Sequence, residues 1–400
     1  MIRGSAARAR ARAALVLTVL VVAALAGPRP AAAELEAPDR SDVAVLPAAG
    51  LVPTGIDATN FVLVDVPSGQ VLLARAEDER RPVASTIKVL TALTAIERLD
   101  ARSTITVGDE VLGVGGSEVG LAPGATWSVE DLLEALLVRS GNEAAEAMAV
   151  AASGDRARFV DAMREDAATL GLEGATITEP SGLEDGNLLS AMDLSVLGRS
   201  ALAHPVLAPI IGRPRVELPG LGSVENRNLL VGSYPGASGV KTGFTSAAGN
   251  VIIASASREG RELLVVLLGS GPDPARFRDA ARLLDVGFEA FEEVSPLVAY
   301  ELASGAGWWS TEPVGRSSLL VPIGAEVGVE VEPPSLIVGG TTRAHVIVDA
   351  QEAVELRLSM RAPGIRGDRQ GASASARLAA GVADGVFAGL RAAVAVDGLG

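Results

Sequence analysis

The chain changes character near residue 293, and that break sets the layout of the fold. Before it, two β-rich runs, Phe61–Val66 and Gln70–Ala74, flank the turn Pro67-Ser68-Gly69. A long stretch of helical periodicity follows. Two more β-rich runs, Val251–Ser255 and Leu263–Leu268, then lead to a last helix opened by Pro274. After the break come short β-type runs parted by Gly and Pro: Leu297–Leu302, Ser318–Ile323, Val327–Val331, His345–Val348 and Val354–Ser359. Strand pair, helices, strand pair, helix describes an α/β or α+β domain over 56–292. The stretch 293–363 reads as a small all-β domain.

Local signals refine the helical part. A helix begins near Ser85, with Val89, Leu93 and Ile96 as its apolar stripe. Ser128-Val129-Glu130-Asp131 is a capping sequence that leads into Leu132, Leu133, Leu136 and Leu137. Helical patterns continue over 142–152, 156–170 and 190–203. The last helix carries Phe277, Ala281, Leu284 and Phe288 on one face.

The ends read as addresses and tethers. Arg3, Arg8, Arg10 and Arg12 precede the apolar run Ala13–Ala26, and Ala31-Ala32-Ala33 offers a small-residue cleavage site. The run falls short of the ~20 residues that span a bilayer, so 1–33 reads as a signal peptide, with an uncleaved anchor as the alternative. Residues 34–55 read as a linker. Residues 364–400 read as a flexible tether, rich in Gly, Ser, Arg and Ala, and a tail. In the tail Val382, Val386, Leu390 and Val394 recur every four residues, as in an amphipathic helix lying on a membrane. The tail lacks the basic face such helices favour, so a disordered tail or a helix packed on the protein stand as alternatives.

Composition removes whole classes of chemistry. There is no Cys, so no thiol nucleophile, disulfide, Cys-ligated zinc or iron–sulfur cluster. Two His, His204 and His345, exclude a three-His metal site, and the reading calls for neither metal nor cofactor. A net charge of −15 argues against a nucleic-acid partner. Of 34 Lys and Arg, only Lys88 and Lys241 are Lys. In a chain whose cations are otherwise Arg, a retained Lys marks a place that needs what Arg cannot do, and only Lys readily loses its proton when desolvated.

Lys88 follows Ser85 by one helical turn, in Ser85-Thr86-Ile87-Lys88, so both side chains share a face. A serine hydroxyl is a weak nucleophile until a base takes its proton, and Lys88 is the base at hand. Lys241 lies in Lys241-Thr242-Gly243-Phe244, where a cation and a hydroxyl suit a carboxylate and Gly243 admits a substrate backbone. On charge alone, Arg could replace Lys241 but not Lys88. Ser140-Gly141-Asn142 follows the leucine-rich helix; Ser140 can relay a proton, and Asn142 can orient Lys88 and hold a substrate carbonyl.

Ser-x-x-Lys, Ser-x-Asn and Lys-Thr-Gly in this order are the motif set of penicillin-binding proteins and class A β-lactamases. Here Gly141 replaces the usual middle Asp. With the surrounding Gly116–Gly124, Val129–Leu133, Asn226–Leu230 and Gly239–Gly249, the chain resembles the low-molecular-mass penicillin-binding proteins that act as serine D-Ala-D-Ala carboxypeptidases. The resemblance implies the penicillin-recognising, β-lactamase-like α/β (α+β) fold over 56–292 and an accessory β domain. It implies Ser85 as the acylated nucleophile, Lys88 as base and Ser140 as the relay to the leaving amine. Asn142, Lys241, Thr242 and Gly243 would bind the peptide, and the N–H groups of Ser85 and Phe244 would form the oxyanion hole. The implied partners are peptidoglycan stem peptides ending in D-Ala-D-Ala and β-lactams, met outside the cytoplasmic membrane. Ser181 stands where members often have His before Gly-Leu, and Arg164 where Asn often follows Met. A class A β-lactamase is one rival, but Glu184 and Asn187 are one residue too close for its deacylation pair. A catalytically lapsed wall-binding protein is the other, and no working side chain is missing.

Overall fold

The computed structural model describes residues 49–295, 301–304, 307–313, 318–331, 341–349, 351–361 and 390–393. The expected signal peptide, residues 34–48 of the linker, the tether and most of the tail lie outside the described residues.

The predicted hairpin forms β1 (Asn60–Asp65) and β2 (Val71–Arg75). The Asp65 carboxylate accepts from the Ser68 N–H at 3.0 Å, and Gly69 takes φ +73° in the turn. The later strands are β3 (Ala237–Thr245), β4 (Gly249–Arg258) and β5 (Arg261–Ser270). All five form one antiparallel sheet in the order β2-β1-β5-β4-β3. All six residues of β1 are buried, so the first strand lies inside the sheet rather than at its edge. β3, which carries Lys241, Thr242 and Gly243, is an edge strand. An edge leaves backbone groups free to meet an extended peptide.

Among the described residues the α-helices are α1 (Lys88–Ile96), α2 (Val129–Leu137), α3 (Asn142–Ser153), α4 (Arg156–Thr169), α5 (Ala191–Ala203), α6 (Leu207–Ile211) and α7 (Ala275–Glu289). One sheet face is covered by α7, whose Phe277, Leu283, Leu284 and Phe288 share a core with Phe61, Leu63, Ile252 and Leu263. α5 crosses the other face closely enough that a Cβ on Gly198 would sit 2.6 Å from Leu264 and 2.9 Å from Ile253. Caps fix the helix starts. Ser128 accepts from the Asp131 N–H at 3.0 Å, and Ser190 and Asp193 form a reciprocal capping box. α1 is buried from Lys88 through Ala95 and touches α2, α3, α4 and α5. The helix that begins near Ser85 starts as a 3-10 turn, Ala84–Ile87, before becoming α1.

Beyond α7 the regular elements of the described chain are all strands. Phe291–Val294 pairs with Leu319–Pro322, and both contribute to the core under α7. The Gln70 amide clamps this pair, donating to the Leu320 carbonyl at 2.5 Å and accepting its N–H at 2.9 Å. A six-stranded antiparallel sheet runs Glu301–Ser304, Gly307–Pro313, Gln351–Arg361, Thr341–Val348, Val327–Val331, Leu390–Ala393. Leu390–Ala393 is thus a strand inside the tail, where the sequence left an amphipathic helix and a disordered tail as alternatives. Leu390, Arg391, Ala392 and Ala393 pair with Val331, Glu330, Val329 and Gly328, satisfying backbone groups along an open edge.

Candidate active site

The site forms where the 3-10 turn before α1 meets the edge strand β3. A Cβ on Gly243 would lie 2.9 Å from the Ser85 nitrogen and 3.1 Å from the Ala84 Cβ, so only Gly lets the strand pass this closely. Gly182 closes the turn from another side: its Cβ would fall 2.0 Å from the Ala84 carbonyl oxygen. Two non-glycine residues here hold positive φ, Ala84 at +48° and Ser140 at +69°. Such conformations are held in place by their surroundings and concentrate at functional sites.

Lys88 is fully buried beneath Ser85. Its Nζ lies 3.0 Å from Ser85 Oγ and 2.7 Å from Asn142 Oδ1, and it also donates to the Ser181 carbonyl oxygen. The Asn142 orientation is fixed by its Nδ2, which donates to the Gly115 carbonyl at 2.8 Å. Asn142 Oδ1 and the Ser181 carbonyl can only accept. Together they take two hydrogens of the amine, and the third valence points at Ser85. Burial lowers the Lys88 pKa from 10.5 to about 7, partly opposed by Glu179, Glu146 and Glu143 and assisted by Arg227. A neutral amine then carries its lone pair toward the Ser85 hydroxyl.

The second lysine makes a parallel contact. Lys241 Nζ lies 2.9 Å from Ser140 Oγ and 2.8 Å from the Thr242 carbonyl, and only 1% of the residue is exposed. Burial holds its pKa well below 10.5, with Lys88, Arg227 and Arg276 pushing the same way. Ser85, Ser140, Thr242, Gly243 and Phe244 line one cleft of about 390 Å³. The structure therefore brings all eight expected residues together: Ser85, Lys88, Ser140, Asn142, Lys241, Thr242, Gly243 and Phe244. Phe244 is 63% exposed and stands at the rim.

Several residues of the site carry no motif in the sequence. Arg276, on α7, donates through Nη1 to the Gly243 carbonyl at 2.9 Å, and Asp273 holds its Nη2 at 2.8 Å. Its buried Nε has no partner among the described residues. Arg139 and Arg227 line the same cleft. Glu143, next to Asn142, accepts on one oxygen from the N–H groups of Val119, Gly120 and Leu121, at 2.7, 2.7 and 3.3 Å, which fixes the glycine-rich loop beside the cleft. Thr245 donates to Asp185 at 2.6 Å, tying β3 to the loop that carries Ser181. The Arg residues are lost among the chain's many others, and the carboxylates gain meaning only from the loops they hold.

Glu184 and Asn187, weighed as a β-lactamase deacylation pair, are turned to other tasks. Glu184 pairs with Arg156 at 3.3 Å on the surface. Asn187 is buried, donating to Glu179 at 2.7 Å and accepting the Thr178 N–H at 2.8 Å.

Residues 48–271 match the peptidase family described as D-alanyl-D-alanine carboxypeptidase. The chain is 37% identical over 258 residues to D-alanyl-D-alanine carboxypeptidase DacB2 of Mycobacterium tuberculosis, covering 62% of this chain and 88% of that one. It is 31% identical over 247 residues to DacF of Bacillus subtilis, covering 59% of this chain and 63% of that one. Penicillin binding protein 5 of Haemophilus influenzae superposes with a TM-score of 0.69 at 26% identity, covering 77% of this chain and 98% of that one. The chain belongs to the D-alanyl-D-alanine carboxypeptidase family of serine hydrolases, and its fold is the penicillin-recognising α/β fold.

Proposed function

We propose that this protein removes the terminal D-Ala from peptidoglycan stem peptides ending in D-Ala-D-Ala through an ester on Ser85. The observation that carries the reading is the buried Lys88 amine, 3.0 Å from Ser85 Oγ, with two carbonyl oxygens placed to take both hydrogens of its neutral form.

Lys88 takes the Ser85 proton as Oγ adds to the carbonyl of the penultimate D-Ala. The N–H groups of Ser85 and Phe244, residues that line one cleft, are assigned to the oxygen that gains charge, and such fixed dipoles are often a large part of catalysis. The tetrahedral adduct collapses by breaking the C–N bond. Ser140, held by Lys241, passes its proton to the departing amine and is reprotonated by the Lys88 ammonium, so that free D-Ala leaves and Lys88 is neutral again. Lys241, Thr242 and Arg276 hold the terminal carboxylate, with Asn142 on the peptide. Water then adds to the ester as neutral Lys88 takes its proton, the bond from the acyl carbon to Ser85 Oγ breaks, and Lys88 returns the proton to Oγ, regenerating Ser85.

A β-lactam ring offers Ser85 the same carbonyl chemistry, and the name of the Haemophilus protein carries that binding. The substrate places the enzyme outside the cytoplasmic membrane, as the signal-peptide reading of 1–33 requires. Contact of residues 377–400 with a membrane surface is the further part of this reading, though Leu390–Ala393 is a strand rather than part of an amphipathic helix; among the described residues no helix is long and apolar enough to cross a membrane. Deleting 377–400 and fractionating cells tests the contact, and an unchanged distribution removes it.

The main test is free D-alanine released from a short peptide ending in D-Ala-D-Ala, using residues 34–400 and its Ser85→Ala variant. Release by the first alone supports the reaction and the nucleophile; no release by either overturns the reading.

A further inference from the structure

A second cavity, about 430 Å³, opens on the far side of the Ser181 turn and is lined by Glu110, Glu146, Arg156, Glu179, Ser181 and Glu184 among others. It shares Ser181 with Lys88, because the Ser181 carbonyl receives the Lys88 amine. Two features of this region serve no step described above.

The first is Glu179, a carboxylate with no solvent exposure. It accepts four hydrogen bonds: from the Ser181 N–H at 2.7 Å, the Ser181 hydroxyl at 2.6 Å, the Gly182 N–H at 2.5 Å and Asn187 Nδ2 at 2.7 Å. These bonds fix the turn whose carbonyl holds Lys88 and whose Gly182 packs on the Ser85 backbone. The second is Arg156, at the start of α4. It faces three carboxylates from separate elements: Glu146 on α3 at 3.5 Å, Glu179 at 3.9 Å and Glu184 at 3.3 Å.

We propose that Glu179 and Arg156 are positioning residues for the reaction, Glu179 fixing the carbonyl that aims Lys88 and Arg156 offsetting the negative charge beneath that base. The inference rests on Lys88 being the base. Charged groups face Lys88 from every side: Glu179 on its turn, Glu143 and Glu146 on α3, Arg227 before β3, and Lys241 on β3. The carboxylates favour the charged amine and the cations oppose it. Arg156 thus weakens the preference that Glu146 and Glu179 impose for the charged amine, from outside the cleft.

The test is the pH profile of acylation by a fluorescent penicillin for the wild type, Glu179→Gln, Arg156→Met and Lys88→Gln. Removing the negative charge in Glu179→Gln should lower the midpoint of the acid limb. The amide also cannot accept every donor of the turn, so the plateau rate should drop about tenfold or more. Removing the positive charge in Arg156→Met should raise the midpoint, with the plateau nearly kept. Shifts of about half a pH unit are expected, because Arg156 is partly exposed and screened. A misfolded or loosened site moves plateau rates but does not move two midpoints in opposite directions. Midpoints that stay at the wild-type value, or move together, overturn the proposal. Acylation of Lys88→Gln at the wild-type rate overturns it by another route, since Lys88 is then not the base. Melting curves accompany each variant. If Glu179→Gln does not fold, Arg156→Met decides alone, and an unmoved midpoint there overturns the proposal.

Discussion

Lys241 donates to the Ser140 hydroxyl across 2.9 Å just as Lys88 meets the Ser85 hydroxyl across 3.0 Å, so each buried lysine is paired with one serine of the cleft. The pairs differ in what completes them. Lys88 is closed off by two carbonyl-type oxygens, which leaves the lone pair of its neutral form for Ser85. Lys241 lies on the edge strand beside Thr242, where an incoming carboxylate would sit.

Lys88→Gln separates these roles from simple charge. Gln keeps roughly the length and a donor but has no basic nitrogen. Acylation by a fluorescent penicillin should fall by about 10²–10⁴. Lys241→Gln should retain more acylation and lose more affinity for a peptide with a free carboxylate. Charge alone predicts that Lys241→Arg is mild. The structure corrects this: both lysines are fully enclosed, so the larger guanidinium overpacks either site. Equal acylation by wild type and Lys88→Gln would sink the mechanism.

Gly182→Ala should disable the enzyme without touching a motif residue. The added Cβ would fall 2.0 Å from the Ala84 carbonyl oxygen and 2.7 Å from the Ser85 nitrogen, at a φ of +71°. The nucleophile turn must move, and a displacement near 1 Å can cost about a hundredfold in rate. Gly124→Ala is the control, since Gly124 has a similar φ of +82° with open space around it. Its acylation rate should be unchanged. Loss of rate in the control as well would mean that backbone strain, not the contact with the turn, is the cause.

These residues also mark how far the sequence could be read. Ser85, Lys88, Ser140, Asn142 and Lys241 were visible because their spacing is local and Lys is so rare here. The order of helices and strands was visible because apolar residues repeat with the period of each element. That β1 lies inside the sheet was not, since strand order depends on contacts between distant segments, such as Leu63 with Val265. Glu179 was hidden for the same reason: its meaning comes from the turn it folds, not from its neighbours in sequence. The strand at Leu390–Ala393 escaped because a four-residue apolar repeat fits a helix, while pairing with Val327–Val331 favours an extended chain.

Arg276→Gln should discriminate between substrates. Its guanidinium lines the cleft, and charge-assisted hydrogen bonds contribute about 1.5–3 kcal/mol. Hydrolysis of a peptide with a free C-terminal carboxylate should fall about ten- to hundredfold in kcat/KM. Turnover of the same peptide with a C-terminal amide should change far less. Equal losses for both peptides would assign Arg276 to holding the Gly243 carbonyl rather than the substrate.

Lys88→Met tests the buried amine through stability rather than rate. In the folded chain Lys88 titrates at about 7 and in the unfolded chain near 10.5. Between these values the unfolded state binds more protons, so the wild type gains stability from this group as pH rises through that window. The variant lacks the group and lacks that gain. It also leaves Asn142 Oδ1 and the Ser181 carbonyl without their donor, a cost that does not vary with pH. The expected signature is therefore a slope. The Tm of Lys88→Met minus that of the wild type should be largest near pH 7 and shrink steadily toward pH 10, with the other titrating groups shared by both proteins. A difference that stays constant across this range would mean that Lys88 is charged in the folded enzyme at neutral pH, and Ser85 would need another base.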